Sequence, residues 1–290
     1  MVKLLKNILL VFMLLFANNA WGQSRYALLI GIGDYPEDSG WNKIHGNNDI
    51  SIIKPTLIRQ GFPAEAIVQL LDSAATKNNI LKAFDDLAAK LRSEDVAYIH
   101  FSGHGQQVSD LNGDEEDGFD EAWIPFDAKK KYEIGVYEGT NHLIDDELNV
   151  IFTRLRVRVG AKGKIIVIAD ACHSGSGSRG QLDDEVFVRG TGDKFILPRQ
   201  ISNSIKKPEP TEWLFVAACK PYQSNYEYRT PEGDYYGVLS YIIANEHKQF
   251  DICKYSELLR EWSKSVSEKS RYPQDLDADG QPCRRSSYMF

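Results

Sequence analysis

The run Ile165-Ile166-Val167-Ile168-Ala169 constrains this chain more than any other stretch. Five consecutive apolar residues, four of them β-branched, fit a strand buried on both faces. The run stops at Asp170-Ala171-Cys172-His173-Ser174-Gly175, so a carboxylate, a thiol and an imidazole follow the end of a core strand. In open α/β sheets, ligands bind in the crevice beyond the carboxyl ends of the strands, which makes this strand end the candidate site. A buried structural cysteine before a polar turn is the competing reading, because cysteine is among the most buried residue types.

The rest of the chain supplies partners for such a strand. Residues 26–30 form a first apolar run, ending in Gly31-Ile32-Gly33-Asp34. That Gly-x-Gly lacks the third glycine and the immediate helix of a dinucleotide site. Residues 48–60 have helical spacing (Ile50, Ile53, Leu57) with a kink expected at Pro55. Residues 67–71 read as a second strand. Thr76 then caps an amphipathic helix with Ile80, Phe84, Leu87, Ala88 and Leu91 on one face. A third strand, 96–101, ends in Ser102-Gly103-His104-Gly105, and Asp145-Asp146-Glu147 opens another helix. After the Cys172 strand come a strand at 213–218, ending at Cys219, and helices at 237–246 and 256–266. This alternation predicts an α/β fold with a mostly parallel central sheet and helices on both faces. Residues 23–290 read as a single domain, with a long Gly-, Ser-, Pro- and charge-rich loop at about 174–210.

The chain of 290 residues carries a formal net charge of −7 with no large basic face, which excludes a nucleic-acid footprint. Lys3 and Lys6 precede an apolar core at 8–16, and Ala20-Trp21-Gly22 places small residues before Gln23. Residues 1–22 are therefore expected to be a secretory signal peptide cleaved after Gly22. The apolar core falls short of a membrane span of ~20 residues. The mature chain is expected in a periplasm or outside the cell, with no membrane span. Four cysteines (Cys172, Cys219, Cys253, Cys283) do not make a disulfide-dense scaffold, and no zinc spacing is present. Pairing among Cys219, Cys253 and Cys283 is left open.

His104 and Cys172 occupy matched places, each shortly after a buried parallel strand. If those strands are neighbours, both side chains reach one crevice. A cysteine beside a histidine can exist as a thiolate–imidazolium pair, with a nucleophilic sulfur and a ring able to protonate a leaving amine. The glycines flanking His104 let substrate approach and leave a backbone N–H for an oxyanion hole. His173 is a rival base, but side chains of adjacent residues after a strand diverge. His45, His100, His142 and His247 have no comparable setting.

On these residues the chain resembles the metacaspase branch of the caspase-like cysteine peptidases. The motifs are Tyr-Ala-Leu-Leu-Ile-Gly-Ile (26–32), Phe-Ser-Gly-His-Gly (101–105), Asp-Leu-Asn-Gly-Asp-Glu-Glu-Asp-Gly-Phe-Asp-Glu (110–121), Ile-Asp-Asp-Glu (144–147) and Asp-Ala-Cys-His-Ser-Gly (170–175). They cover roughly 25–180, and the likeness is weaker beyond. The resemblance implies a caspase-like three-layer α/β sandwich and a His104/Cys172 dyad. It implies an oxyanion hole from the N–H groups of Gly105 and Cys172. It further implies cleavage of polypeptides after Arg or Lys, with Asp49, Ser102 and Asp170 forming an acidic pocket. A buried guanidinium does need a paired carboxylate, although Asp49 reads equally as a helix cap.

Calcium is the one cofactor the resemblance suggests, through Asp120, Asp145 and Asp146; no organic cofactor is expected. A fourth family ligand would fall at Arg179, with Asp183 or Asp184 as substitutes. Asp275-x-Asp277-x-Asp279-Gly280 begins like an EF-hand loop but meets Ser286 where the bidentate Glu belongs. The loop at 174–210 holds Arg179, Arg189, Lys194, Arg199, Lys206 and Lys207, where an Arg/Lys-cleaving enzyme could process itself. The leading expectation is thus an exported cysteine endopeptidase. A legumain- or clostripain-type peptidase of other specificity, or an inactive caspase-like module binding calcium or a protein, stands as the alternative.

Overall fold

The computed structural model describes residues 23–113, 115, 117–172, 186–198, 212–245 and 255–282. The expected signal peptide, His173, Arg179, Asp183, Asp184, Cys253, Cys283, His247 and both flanks of the long loop lie outside them.

Six strands make the central sheet: β1 (Arg25–Gly31), β2 (Ile67–Leu71), β3 (Val96–Ser102), β7 (Lys164–Asp170), β8 (Leu214–Ala217) and β11 (Asp277–Gly280). Their order is β11-β8-β7-β3-β1-β2, parallel throughout except for β11, which pairs antiparallel with β8. Five helices flank the sheet: α1 (Gly46–Arg59), α2 (Lys77–Lys90), α3 (Asp145–Val159), α4 (Val238–Asn245) and α5 (Tyr255–Lys269). Strand alternation sorts the core. Leu28, Ile30, Ile99, Phe101, Val167 and Ala169 point to one face, where they meet Ile80, Phe84, Leu148 and Phe152 of α2 and α3. Leu29, Tyr98, Ile166, Ile168 and Val216 point to the other, against Ile50, Leu57, Ile243 and Trp262 of α1, α4 and α5. This is the expected three-layer architecture. Thr76 caps α2 by accepting a hydrogen bond from the Asn79 N–H at 3.3 Å. The α1 helix runs through Pro55.

Besides β11, three features lay outside the sequence expectation. A small antiparallel sheet, β4 (Gly105–Ser109), β5 (Phe119–Trp123) and β6 (Leu143–Ile144), grows directly out of the His104 turn. A hairpin, β9 (Glu227–Arg229) with β10 (Tyr235–Gly237), stands near the amino end of α1. The third is the seating of residues 186–198, expected as open loop. This segment runs from a bridge between Val188 and Tyr226, past Gly105, to a bridge between Phe195 and Val108. Among the described residues no helix is long and apolar enough to cross a membrane.

Candidate active site

β3 and β7 are neighbours, and Ser102 pairs with Asp170 across them. His104 and Cys172 therefore each lie two residues past matched strand ends, at the carboxyl edge of the sheet. The backbone N–H of His104 donates to the Tyr35 hydroxyl at 3.0 Å, and the ring stacks on Trp41 with centroids 4.7 Å apart. Its Nε2 lies 2.8 Å from the Asn42 carbonyl, which accepts its proton, and Nδ1 is buried with no hydrogen-bond partner among the described residues. Burial lowers its pKa to about 4, against weaker support from the Asn42 carbonyl. The Cys172 thiol donates to the Gln223 carbonyl at 2.8 Å, and the Cys219 thiol reaches the same oxygen at 3.4 Å. Both are thiols, and hydrogen bonding with Cys172, then burial, holds Cys219 well above the ordinary thiol range. The imidazole of His104 is thus held neutral at rest. The closed, apolar surroundings of His104 penalise the charged ring.

Arg189 fills the crevice. Its guanidinium is fully buried, with Nη1 2.6 Å from Asp49 Oδ2, in hydrogen bond with Ser102 Oγ, and 3.5 Å from Asp170 Oδ1. Nε and Nη2 donate to Glu227 Oε1 at 3.1 and 2.9 Å. Ser102 donates to Asp49, so Asp49, Ser102 and Asp170 meet around one cation. Asp49 also accepts from the Gly237 N–H at 2.9 Å and caps nothing. Asp170 is held by Asn225 Nδ2 at 2.7 Å and by the Ser240 N–H and hydroxyl at 2.8 and 2.7 Å. Gly237 must be glycine here, because a Cβ would lie 2.2 Å from Asp170 Oδ2. Burial alone would push Asp170 up, but Arg189 and these hydrogen bonds outweigh it and hold the carboxylate below its usual range. Asp49, desolvated and close to Asp170, is raised to about 6 despite Arg189. Glu227 is lowered, the pull of Arg189 and His45 exceeding the cost of burial.

The backbone of Arg189 is placed as deliberately as its side chain. Its carbonyl oxygen accepts from the Cys172 N–H at 2.8 Å and the Gly105 N–H at 3.3 Å. Its own N–H donates to the Asn225 carbonyl at 2.9 Å, and the Glu227 N–H donates to the Phe187 carbonyl at 3.0 Å. Gly190 follows against the Cys172 backbone: a Cβ there would be 2.2 Å from the Cys172 carbonyl oxygen. An extended peptide lies across the sheet edge, with an Arg side chain in an acidic pocket and its carbonyl on two N–H groups.

The family model described as the caspase domain matches residues 24–287. The chain belongs to the caspase-domain peptidase family. Among its relatives is Metacaspase-1B of Aspergillus terreus, 37% identical over 169 residues, which span 56% of this chain and 41% of that protein. Metacaspase-1A of Neurospora crassa is 35% identical over 161 residues, spanning 52% of this chain and 32% of that protein. The matched region is thus less than half the length of either relative. The crystal structure of protein GSU0716 from Geobacter sulfurreducens shares the fold, with a TM-score of 0.56 and 22% identity over 89% of this chain and 94% of that one.

Within this caspase domain the expected calcium residues are not gathered as a ligand set. No group of three His, Cys, Asp or Glu side chains among the described residues is arranged to hold a metal ion. Asp120 is buried in β5, Asp145 starts α3, and Asp146 accepts a hydrogen bond from Asn112. Carboxylates nonetheless crowd this neighbourhood. Burial, then the charges of Asp120, Glu121 and Glu115, push Asp145 up to about 8, and Glu121 rises to about 7 by burial, then Glu115 and Asp117. The oxygen-only donors suit Ca²⁺.

Sequence reasoning missed Glu227, Asn225, Ser240 and His45. His45, set aside at first, binds Glu227 through Nδ1 at 2.6 Å and through its backbone N–H at 2.7 Å. His100 also has a place, with Nε2 3.0 Å from the Ser240 hydroxyl behind Asp170. Nothing local marks Glu227, which reaches its partners from 38 and 182 residues away.

Proposed function

We propose that this chain is an exported cysteine endopeptidase that cleaves polypeptides after Arg or Lys and first cuts itself between Arg189 and Gly190. The observation that supports this reading is the seating of Arg189, whose carbonyl accepts from the Cys172 and Gly105 N–H groups while its guanidinium lies among Asp49, Ser102, Asp170 and Glu227. In the reaction, Cys172 Sγ bonds to the Arg189 carbonyl carbon and its proton passes to neutral His104. The developing oxyanion stays on the Cys172 and Gly105 N–H groups, where each donor contributes about 3 kcal/mol or more. The C–N bond to Gly190 breaks, and the His104 proton leaves on the Gly190 amine. Water, deprotonated by His104, then hydrolyses the thioester and restores the thiol.

Export rests on the Lys–apolar–small pattern of residues 1–22. Calcium stimulation rests on the crowded carboxylates around Asp145; with Asp120 and Asp146 it would supply oxygen ligands to the ion, which would neutralise that crowding. Intact-mass time courses of freshly purified wild-type and Cys172→Ala chains test the self-cut. Wild type is expected to yield a fragment beginning at Gly190, and Cys172→Ala is expected to stay whole. An identical pattern in both, or a wild-type cut elsewhere only, contradicts the assignment.

A further inference from the structure

The seated peptide shows a second side-chain site, two residues before Arg189. Phe187 meets the His45 ring edge-on at 4.6 Å and the Tyr235 ring edge-on at 4.9 Å. His45 and Tyr235 are themselves stacked at 5.0 Å and 17°. Edge-to-face contacts at these separations are a favoured aromatic geometry, and a ring leaving water for such a slot also buries apolar area.

The slot is rigid for a reason visible in its contacts. Glu227 binds His45 twice, through Nδ1 and the backbone N–H, and the same carboxylate receives the Arg189 guanidinium. The Glu227 N–H also holds the Phe187 carbonyl. One residue therefore fixes the arginine pocket, the peptide backbone and one wall of the aromatic slot. Between the two sites Val188 bridges to Tyr226 and is half-buried.

We infer that this peptidase selects an aromatic side chain at the third position before the cut, held by His45 and Tyr235, so that its substrates read aromatic–x–Arg. The inference rests on the proposed Arg/Lys cleavage and adds a substrate class to it. Two stacked rings orient an aromatic edge, whereas a small aliphatic side chain leaves the slot part-filled and an acidic one brings charge against Glu227.

The test is a set of peptide reporters differing at that position only: Phe-Val-Arg-Gly, Tyr-Val-Arg-Gly, Ala-Val-Arg-Gly and Asp-Val-Arg-Gly, read as kcat/KM on self-processed wild-type enzyme. The Phe and Tyr peptides are expected to exceed the Ala peptide about tenfold, and the Asp peptide is expected to be poorest. In Tyr235→Ser the Phe-to-Ala ratio should collapse toward one. Equal turnover of all four by wild type overturns the aromatic slot and leaves Arg cleavage standing. No turnover of any of them overturns the Arg-cleaving function itself. The wild-type series decides the matter even if the Tyr235 variant folds poorly.

Discussion

Arg189 sets one guanidinium among three buried carboxylates, and the division of labour around it has consequences for specificity. Nη1 serves Asp49 and Ser102, while Nε and Nη2 serve Glu227. A lysine ammonium is a single point and does not span both walls. Arg is therefore expected over Lys, and Glu227→Gln should lower kcat/KM for Arg reporters by about tenfold to a hundredfold, the worth of a hydrogen bond to a charged group. It should narrow the Arg-to-Lys ratio at the same time. A loss equal for both reporters would show that Glu227 does not read the guanidinium. Ser102 and Asp170 stand in the motifs that carry His104 and Cys172, whereas Asp49 was reached only through the family resemblance. Glu227 and His45 were not legible in the sequence, because their role arises only when a late hairpin folds back onto the start of α1. The neutral state of His104 was also illegible: it depends on Trp41 stacked on the ring and Tyr35 tilted against it, a burial that motif spacing does not express.

At the scale of elements, the paired ends of β3 and β7 were readable, since apolar β-branched runs followed by polar turns mark parallel strands. β11 was not. Asp277-Ala278-Asp279-Gly280 has almost no strand propensity, and backbone pairing to β8 at the sheet edge places it there. Residues 186–198 read as loop because their two short apolar runs, 186–188 and 195–197, are broken by Arg-Gly-Thr-Gly-Asp-Lys and flanked by polar sequence, yet Phe195 anchors them. It is buried beside Tyr132, Tyr137 and His142, with backbone hydrogen bonds to Gln107 and Ser109 at 2.8 and 3.0 Å. Removing a buried Phe costs about 3–5 kcal/mol where the site does not collapse. In the Cys172→Ala background, Phe195→Ala should therefore expose Lys194 to trypsin on the order of a hundredfold faster. Mass spectrometry of the first cut checks this; an unchanged rate would mean that the anchor lies elsewhere in the segment.

For the whole molecule, three buried histidines and three desolvated carboxyls pull stability in opposite directions on acidification. Burial lowers His100 and His104 to about 4 and His142 to about 3, against an ordinary value of 6.5. Below about pH 6.5 the unfolded chain binds these protons and the folded chain does not. Stability is then complete above that pH and is lost as pH falls toward 4, by up to about 3 kcal/mol for His100 or His104. Asp49, raised to about 6, works in the opposite direction between about pH 4 and 6, because the folded state takes up its proton first. Asp145 and Glu121, raised to about 8 and about 7, act in the same direction as Asp49, so the histidine contribution is read as a difference: below about pH 6.5 wild type should lose Tm faster than His100→Gln, and parallel profiles would contradict the neutral, buried assignment.

The central claim is that Cys172 and His104 cut after a basic residue held by the Asp49, Asp170 and Glu227 pocket. Hydrolysis of otherwise identical peptides ending in Arg, Lys, Asn or Asp before the reporter group tests it most directly, using self-processed wild type beside unprocessed Cys172→Ala, with and without Ca²⁺. The expected result is turnover of the Arg and Lys peptides alone, Arg ahead of Lys, and none by Cys172→Ala. Turnover surviving the loss of Cys172, or a preference for Asp or Asn, would contradict it.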